Sequence, residues 1–438
     1  MRRRAVLQEI SDRLVLVTIR LAHRRGAFKG WLGDIGVDTT SVPAWHHPPS
    51  DRRDLASVET TAGWHFSGGS DEGVFGHSAT LLVAASRRHP AGHPRQGQRV
   101  GRNPQLALGL VLDAPGRRIG PNAIQALDAL ALLGLRLPVG LLAADRAYTD
   151  QKPAHFALPA RRLGYQLVLD YKQDQRGIQG THHGALLVDS TLACPAMPEP
   201  LATVTTGLND RHVRDLDDQQ TSRIAAREPY FLKLKQSPDP RGAIRLQCPA
   251  AGPSPSVTCP RFARLHSTPA TSGPAVIDLT NARSTAAHPS AKPAVQISPA
   301  ERLRSPAPSE LPRICRKPTV TLHPGDLGKL DKFRQGRHYL SPAWHDAYRP
   351  VRANNEGLNG RAKGHRIDIS EPKKRLAHGR TAQTILVALM ICMINLQILD
   401  DWHRTTGEQP PETNYPAEDS GDLIPAAATP NGRPPPPR

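Results

Sequence analysis

Three acidic residues stand in sequence contexts that could support chemistry. Asp38 and Asp145 each directly follow a short apolar run, residues 35–37 and 139–144, typical of a strand buried on both faces. Glu356 lies far along the chain in a basic, polar stretch. Carboxylates that converge from separate elements suit two Mg²⁺ (or Mn²⁺) ions, held about 3.5–4 Å apart, that act on a phosphodiester. We therefore predict that Asp38, Asp145 and Glu356 are catalytic and bind two such ions.

Each assignment has a structural alternative. Asp38 could be a turn former or a helix cap, in which case Asp34, Asp54 or Asp71 is the first ligand. The second aspartate could simply cap the end of a strand. The glutamate could be an ordinary exposed residue of a helix. We favour the catalytic reading because the two aspartates share the same strand context.

Basic and aromatic side chains accompany the acidic residues. If residues 350–363 form a helix, Arg352, Glu356 and Lys363 are four and seven residues apart and project from one face. We expect Arg352 and Lys363 to keep the carboxylate ionised and to contact phosphates. Tyr148, three residues after the second aspartate, is expected to support the site or to contact phosphate.

The second aspartate lies in a predicted parallel crossover. Apolar residues 106–112, a helical pattern at 120–134 and apolar residues 139–144 follow one another with short links, which is typical of strand, helix and parallel strand. Ligands of open α/β sheets gather at the carboxyl ends of strands, where Asp145 lies. The fold class is therefore predicted as α/β, a mixed sheet with flanking helices. Further elements are predicted at residues 74–85, 153–163 and 165–171.

Changes in composition divide the chain into five segments. They are a basic N-terminal helix at 1–30, the first part of the α/β core at 31–177, an insertion at 178–325, the C-terminal core helices at 326–404 and a disordered tail at 405–438.

The insertion and the C-terminal segment carry their own signals. Residues 230–235 and 243–248 are β-like and joined by the turn sequence SPDPRG, and residues 184–189 are also β-like. The Pro- and Ser-rich residues 249–312 should be irregular or disordered. Ser341 followed by Pro is a good helix start, and Pro350 is expected to interrupt that helix or to begin a second one.

The charge balance points to a polyanionic partner. The chain carries a net charge of +18 and a sequence pI near 10.2, and the excess is spread along its length. The connection between strands 74–85 and 106–112, which we expect to pair as a hairpin, contains five arginines and no acid. We predict that these arginines contact DNA phosphates, although a merely basic protein is the alternative. They are Arg87, Arg88, Arg95, Arg99 and Arg102.

Cysteine usage and hydropathy bear on the compartment. The five cysteines are irregularly spaced and form no CxxC pair, which favours buried free thiols over a zinc site or a disulfide framework. The apolar residues 385–399 include Asn395 and Gln397 and fall short of the roughly 20 residues that a membrane span needs. We expect a cytoplasmic, nucleoid-associated protein without a membrane segment.

Two stretches resemble the signatures of one family. Residues 145–148, DRAY, are similar to the D-x-G/A-Y/F signature around the second aspartate of the DDE transposases of bacterial insertion sequences. Residues 352–363 are similar to the family's R(3)E(6)K signature around its glutamate, and this spacing is the most specific element. Asp38, in GVDTT, falls where the first aspartate would lie. The resemblance covers about residues 30–400.

The resemblance implies an RNase H-like fold, with a β-rich insertion between the second aspartate and the glutamate. It implies Mg²⁺-dependent cleavage of double-stranded DNA at the element's ends and transfer of the freed 3′ end to target DNA, by a homodimer on the DNA. About 30 residues precede the first predicted strand, so the copy is either truncated at the N-terminus or reads DNA with its insertion and basic loop. Its alternatives are a decayed copy that only binds DNA and a stand-alone RNase H-like nuclease.

Overall fold

A mixed six-stranded sheet forms the centre of the protein. The computed structural model describes residues 2–46, 48–49, 57–66, 73–86, 103–266, 292–364 and 367–406. The strands of this sheet are β1 (Ile35–Pro43), β2 (Gly63–Phe66), β3 (Gly73–Ala84), β4 (Ala107–Asp113), β5 (Leu141–Ala144) and β6 (Gln166–Leu169).

Antiparallel and parallel strands meet at β1 in this sheet. β1 pairs antiparallel with β3 on one side and parallel with β5 on the other, and β6 lies parallel beyond β5. β2 and β4 both pair antiparallel with β3 on the edge away from β1. The strand predictions near residues 35, 74, 106, 139 and 165 and the hairpin of β3 with β4 are confirmed, whereas β2 was not predicted.

One boundary differs from the prediction in a way that matters for the site. β1 does not end at Val37 but continues to Pro43, so Asp38 lies inside the strand. The reason is that the β-branched residues that follow favour extended backbone and extend the ladder with β3, where Thr39 pairs with Thr80.

The helices flank this sheet or lie in the insertion. They are α1 (Arg2–Arg24), α2 (Ile119–Ala131), α3 (Arg146–Thr149), α4 (Ala157–Arg162), α5 (Glu199–Ala202), α6 (Asp210–Arg214), α7 (Asp218–Ala225), α8 (Pro260–His266), α9 (Pro299–Leu303), α10 (Arg313–Arg316), α11 (Pro342–Ala362) and α12 (Gly379–Thr406).

The helix α12 is a core helix, although it is long and apolar enough to cross a membrane by length and composition. Its 28 residues exceed the 15-residue run seen in the sequence, so length does not exclude a span. Half of its most apolar window is nevertheless buried inside the protein. The Asn395 side chain hydrogen-bonds both the N–H (2.8 Å) and the carbonyl (2.9 Å) of Ala107 in β4, and also Thr18 of α1 (2.8 Å). These bonds tie α12 between β4 and α1.

The helix α11 is continuous, and the predicted interruption at Pro350 is wrong. Ser341 caps its first turn by accepting a hydrogen bond from the Trp344 N–H at 3.2 Å, as the sequence predicted. Pro350 lies within the helix and cannot donate a backbone hydrogen bond. Residues on both sides of it, such as Ala347 and Val351, are buried against the core, and this packing keeps the helical path.

The residues of the predicted insertion form two small sheets around a hydrophobic cluster of their own. The predicted hairpin of β10 (Lys233–Gln236) and β11 (Ile244–Gln247) and the predicted strand β8 (Ala185–Val188) are confirmed. The other strands and α5, α6 and α7 were not predicted. Residues 249–312 are not wholly irregular, since α8 and α9 lie there, and residues 267–291 are outside the described part. The strands are β7 (Ile178–His182), β8 (Ala185–Val188), β9 (Thr191–Ala193), β10 (Lys233–Gln236), β11 (Ile244–Gln247) and β12 (Thr319–Leu322).

Candidate active site

The register of the sheet brings the two aspartates together. β1 and β5 are parallel neighbours in which Val37 is opposite Ala144, so Asp38 and Asp145 are the next residues on the two adjacent chains. Residues that are paired in register point to the same face of a sheet. The negative charge of Asp145 accordingly helps to raise the pKa of Asp38.

Both aspartates also accept local backbone hydrogen bonds. Asp38 Oδ1 accepts from the N–H of Thr39 at 2.8 Å, and Asp145 Oδ1 accepts from the N–H of Ala147 at 3.0 Å. Asp145 is thus the N-cap of the short helix α3, whereas the structural alternative had made it a cap of the strand end. In each carboxylate these bonds use Oδ1 and leave Oδ2 for another partner.

The helix α11 carries the glutamate to the two aspartates because it lies directly on β1. A Cβ atom on Gly36 would come within 2.1 Å of Asn355 Oδ1, so only glycine permits this approach. Val351 and Leu358 of the same helix are fully buried and anchor it. One turn beyond Asn355, Asn359 Nδ2 lies 3.4 Å from Asp38 Oδ2 as a hydrogen-bond donor.

Arg352 connects the second aspartate with the glutamate. Its Nη1 lies 4.0 Å from Asp145 Oδ2, and its Nε lies 3.4 Å from Glu356 Oε1. The Glu356 side chain is 65% exposed, against 28% for that of Asp145. Asp38, Asp145 and Glu356, which we call the acidic centre, therefore have two members inside and one at the rim.

Negative charge accumulates at the acidic centre. Burial raises the pKa of Asp38 to about 6, with further increases from Asp145 and Glu356 that Arg352 opposes. Burial also raises the pKa of Asp145, again against the effect of Arg352. A divalent cation would relieve this repulsion, and carboxylate oxygens are the ligands that Mg²⁺ prefers. The residues present therefore fit such an ion, although no three acidic, Cys or His side chains in the described part are already grouped as a metal site.

The structure also gives the places of Tyr148 and Lys363. Tyr148 is 2% exposed and packs on Phe156 with 4.7 Å between ring centroids, so its side chain is enclosed in the core and is not open to a phosphate. Lys363 is the exposed C-cap of α11 and forms a β-bridge with Asp368. It lies one residue beyond Ala362, the last residue of the helix, so only Arg352 and Glu356 of the predicted trio are within α11.

Of the alternative first ligands and the loop arginines, the structure describes only Asp34. Asp34 is 1% exposed, and its Oδ1 accepts from the N–H of Leu141 at 2.8 Å, so it joins the starts of β1 and β5 as a structural residue. Asp54 and Asp71 lie outside the described residues. The five arginines of the loop, Arg87, Arg88, Arg95, Arg99 and Arg102, also lie outside them.

Asp170 was missed by the sequence reasoning. It directly follows β6 as Asp145 follows β5, and this shared pattern was the available signal. Its Oδ1 accepts from the Tyr339 hydroxyl at 2.6 Å, and its Oδ2 lies 3.7 Å from Arg146 Nε. Asp145 and Asp170 both line a cavity of about 390 Å³ along the carboxyl ends of the parallel strands. Its other charged lining includes Arg146, Arg176, Arg214, Arg349, Arg352, Asp210 and Glu356.

Comparisons with protein-family models, with curated proteins and with solved structures gave no match.

Proposed function

We propose that this chain is a DDE-type transposase, an enzyme that cuts DNA at the ends of an insertion sequence and joins a freed 3′ end to target DNA. The observation that carries the proposal is the joint placement of Asp38, Asp145 and Glu356. The first two are adjacent through the parallel register of β1 and β5, and Arg352 connects the second to the third.

The sheet supports the RNase H-like fold that the sequence resemblance implies. Three antiparallel strands in the order β4, β3, β1 are followed by two strands, β5 and β6, parallel to β1. The first aspartate lies on the central strand and the second follows its parallel neighbour. The residues of the insertion fall between the second aspartate and the glutamate, where the resemblance predicts them.

Asp38, Asp145 and Glu356 would hold the two divalent cations through their carboxylate oxygens. When bound, such ions supply activation of the attacking oxygen and stabilisation of the leaving oxygen. The chain itself supplies the alignment: Asn359 orients Asp38, and the Arg352 guanidinium holds Asp145 and Glu356 on either side of it. The exposed Arg214 and Arg349, which line the same cavity as Asp145 and Glu356, would bind the phosphates of the DNA backbone.

Double-stranded DNA is the proposed partner, at both the element ends and the target. The net charge of +18 supports it, because Lys and Arg neutralise phosphates and release counterions. The same proposal places the protein at the nucleoid in the cytoplasm, as a homodimer on DNA.

A decayed transposase that binds DNA without cutting it is the second candidate. The observation that favours it is the position of Glu356, which is 65% exposed and pairs with Arg352 instead of closing on the two aspartates. In that case the cavity arginines would still bind phosphates. A stand-alone RNase H-like nuclease differs in its products, since joined strands appear only with transposition.

The test uses a supercoiled plasmid that carries the genomic sequences flanking the reading frame. With Mg²⁺ or Mn²⁺ the wild-type protein should nick the plasmid at these sequences and form joined strands. Asp145→Asn should abolish cleavage and retain binding in a gel-shift assay, because the variant removes a ligand charge and no DNA-binding arginine. Binding without cleavage by the wild type identifies the decayed copy, and cleavage by Asp145→Asn at the wild-type rate refutes the proposed site.

A further inference from the structure

Four of the five cysteines converge on one point among the residues of the insertion. Cys194 directly follows β9, Cys248 directly follows β11, Cys259 directly precedes α8, and Cys315 lies in α10. All four line the same small cavity of about 10 Å³, which has room for about one ion or water molecule. The fifth, Cys392, is in α12. The sequence shows no paired motif because each cysteine comes from a different element.

Two of these cysteines lie in matching backbone turns. Cys194 and Cys248 each begin the sequence Cys-Pro-Ala, and in each turn the N–H three residues later donates to the cysteine carbonyl at 3.0 Å. The N–H of Ala196 also donates to the sulfur of Cys194, and the N–H of Ala250 to the sulfur of Cys248. Hydrogen bonds from backbone N–H groups stabilise a sulfur that carries negative charge.

A cation is held next to the same sulfurs. The Arg261 side chain hydrogen-bonds the sulfur of Cys315, and its charge also acts on Cys259. Glu301 fixes this guanidinium through a two-pronged ion pair. Four thiolates around a divalent metal carry a net charge of −2, so a fixed arginine beside them would offset part of it.

The same surroundings exclude two other uses of the thiols. Cys194 and Cys248 are only 5% and 7% exposed, so these thiols do not face solvent as nucleophiles. All four cysteines are free in the structure, and three of them are buried. A group of four thiols that is largely enclosed and not cross-linked matches the ligand set of a structural tetrathiolate site.

We propose that Cys194, Cys248, Cys259 and Cys315 bind one structural Zn²⁺ ion. As arranged in the structure, no three His, Cys, Asp or Glu side chains of the described residues are grouped closely enough to hold a metal, so binding draws the four sulfurs inward around the cavity. The ion would tie the ends of β9 and β11, which belong to two different small sheets, to α8 and α10. It is separate from the acidic centre, whose oxygen ligands suit Mg²⁺.

The test begins with the wild-type full-length chain, purified without chelators from zinc-supplemented medium. Elemental analysis should give about one zinc per chain, and X-ray absorption should show four sulfur neighbours at about 2.3 Å. Replacement by Co²⁺ should produce the thiolate-to-cobalt charge-transfer band, which carboxylate ligands do not give. These measurements need no variant and no DNA cleavage.

Variants then assign the ligands. Cys248→Ser and Cys259→Ser should lose the bound zinc and the charge-transfer band, whereas the matched control Cys392→Ser should keep both. Asp145→Asn should also keep the zinc, which separates this site from the proposed catalytic one. Wild-type protein that stays free of zinc after reconstitution, or disulfides among the four cysteines in mass spectra of the unreduced chain, overturns the proposal.

Discussion

The substitution Asp38→Asn should make the protein more stable at neutral pH and inactive at the same time. Asp38 has a pKa of about 6 because it is buried beside Asp145, whereas an unfolded chain has an Asp pKa near 3.9. Folding therefore costs free energy whenever Asp38 is ionised. Asparagine has nearly the same shape, keeps an oxygen that can accept from the Thr39 N–H, and removes the charge.

The magnitude follows from the difference between the two pKa values. About two pH units at about 1.4 kcal/mol each give about 3 kcal/mol, and solvent screening of the partly exposed carboxylate reduces this to about 1–2 kcal/mol. Because the folded-state pKa is the higher one, the protonated Asp38 contributes its full stability below about pH 4. That contribution is lost as the pH rises through about 6. The advantage of Asp38→Asn should therefore be near zero at pH 4 and complete above pH 7.

The assay is urea unfolding of both proteins between pH 4 and pH 8 in the presence of EDTA. Asp34→Ala is the control: Asp34 is almost fully buried and accepts a strand hydrogen bond, so removing its accepting oxygen should destabilise the chain at every pH. Addition of Mg²⁺ at pH 8 should stabilise the wild type and have little effect on Asp38→Asn, because the ion relieves the same repulsion. An Asp38→Asn protein that is no more stable than the wild type at pH 8 would refute the charge accumulation inferred for the acidic centre.

Three further substitutions test how the fold positions the site. Gly36→Ala should displace α11 through Asn355, cost about 1–3 kcal/mol and lower cleavage at least about tenfold. Gly360→Ala is its control: a Cβ atom there meets no atom within 4 Å, so the change should stabilise α11 at this exposed position by up to about 1 kcal/mol and keep activity. His77→Gln should remove part of the pH dependence of stability. Burial lowers the His77 pKa to about 4, so the wild type loses up to about 3 kcal/mol of unfolding free energy as the pH falls from about 6.5 to 4. Urea unfolding midpoints across this range will measure the difference. Asn395→Leu should cost about 3 kcal/mol in the same assay, because it leaves buried polar partners on β4 and α1 unpaired. A smaller cost than about 1 kcal/mol would contradict the role assigned to this residue.

The sequence predicted those parts of the fold that depend on local pattern. Apolar runs located five strands of the main sheet, and Ser341 marked the start of α11. It did not predict β2 or β9, which are short and only partly apolar and form by antiparallel pairing with the neighbouring strands β3 and β8. The break expected at Pro350 failed because tertiary packing outweighed the local cost of proline.

The acidic centre was predictable in its members and not in its geometry. Motif spacing identified Asp145, Glu356 and Arg352 from the sequence. The close packing of Asn355 on Gly36, which leaves no room for a Cβ atom, and the ion-pair position of Glu356 arise from the packing of α11 on β1, which no local pattern encodes. The converging cysteines show the same limit, because their ligand geometry comes from four separate elements.

Asp113 and Asp38, two carboxylates of the same sheet, have opposite electrostatic surroundings. This contrast supports a functional role for the acidic centre. Asp113, at the end of β4, is 3% exposed and pairs with both Arg4 and Arg380. Although burial opposes ionisation, the Arg4 hydrogen bond and the two positive charges lower its pKa. Asp38 is buried beside a second aspartate, and Arg352 is shared between it and two other acids, so its pKa is raised. Two arginines neutralise Asp113, whereas the negative charge around Asp38 is left unbalanced. The cation of the proposed site would supply the missing positive charge.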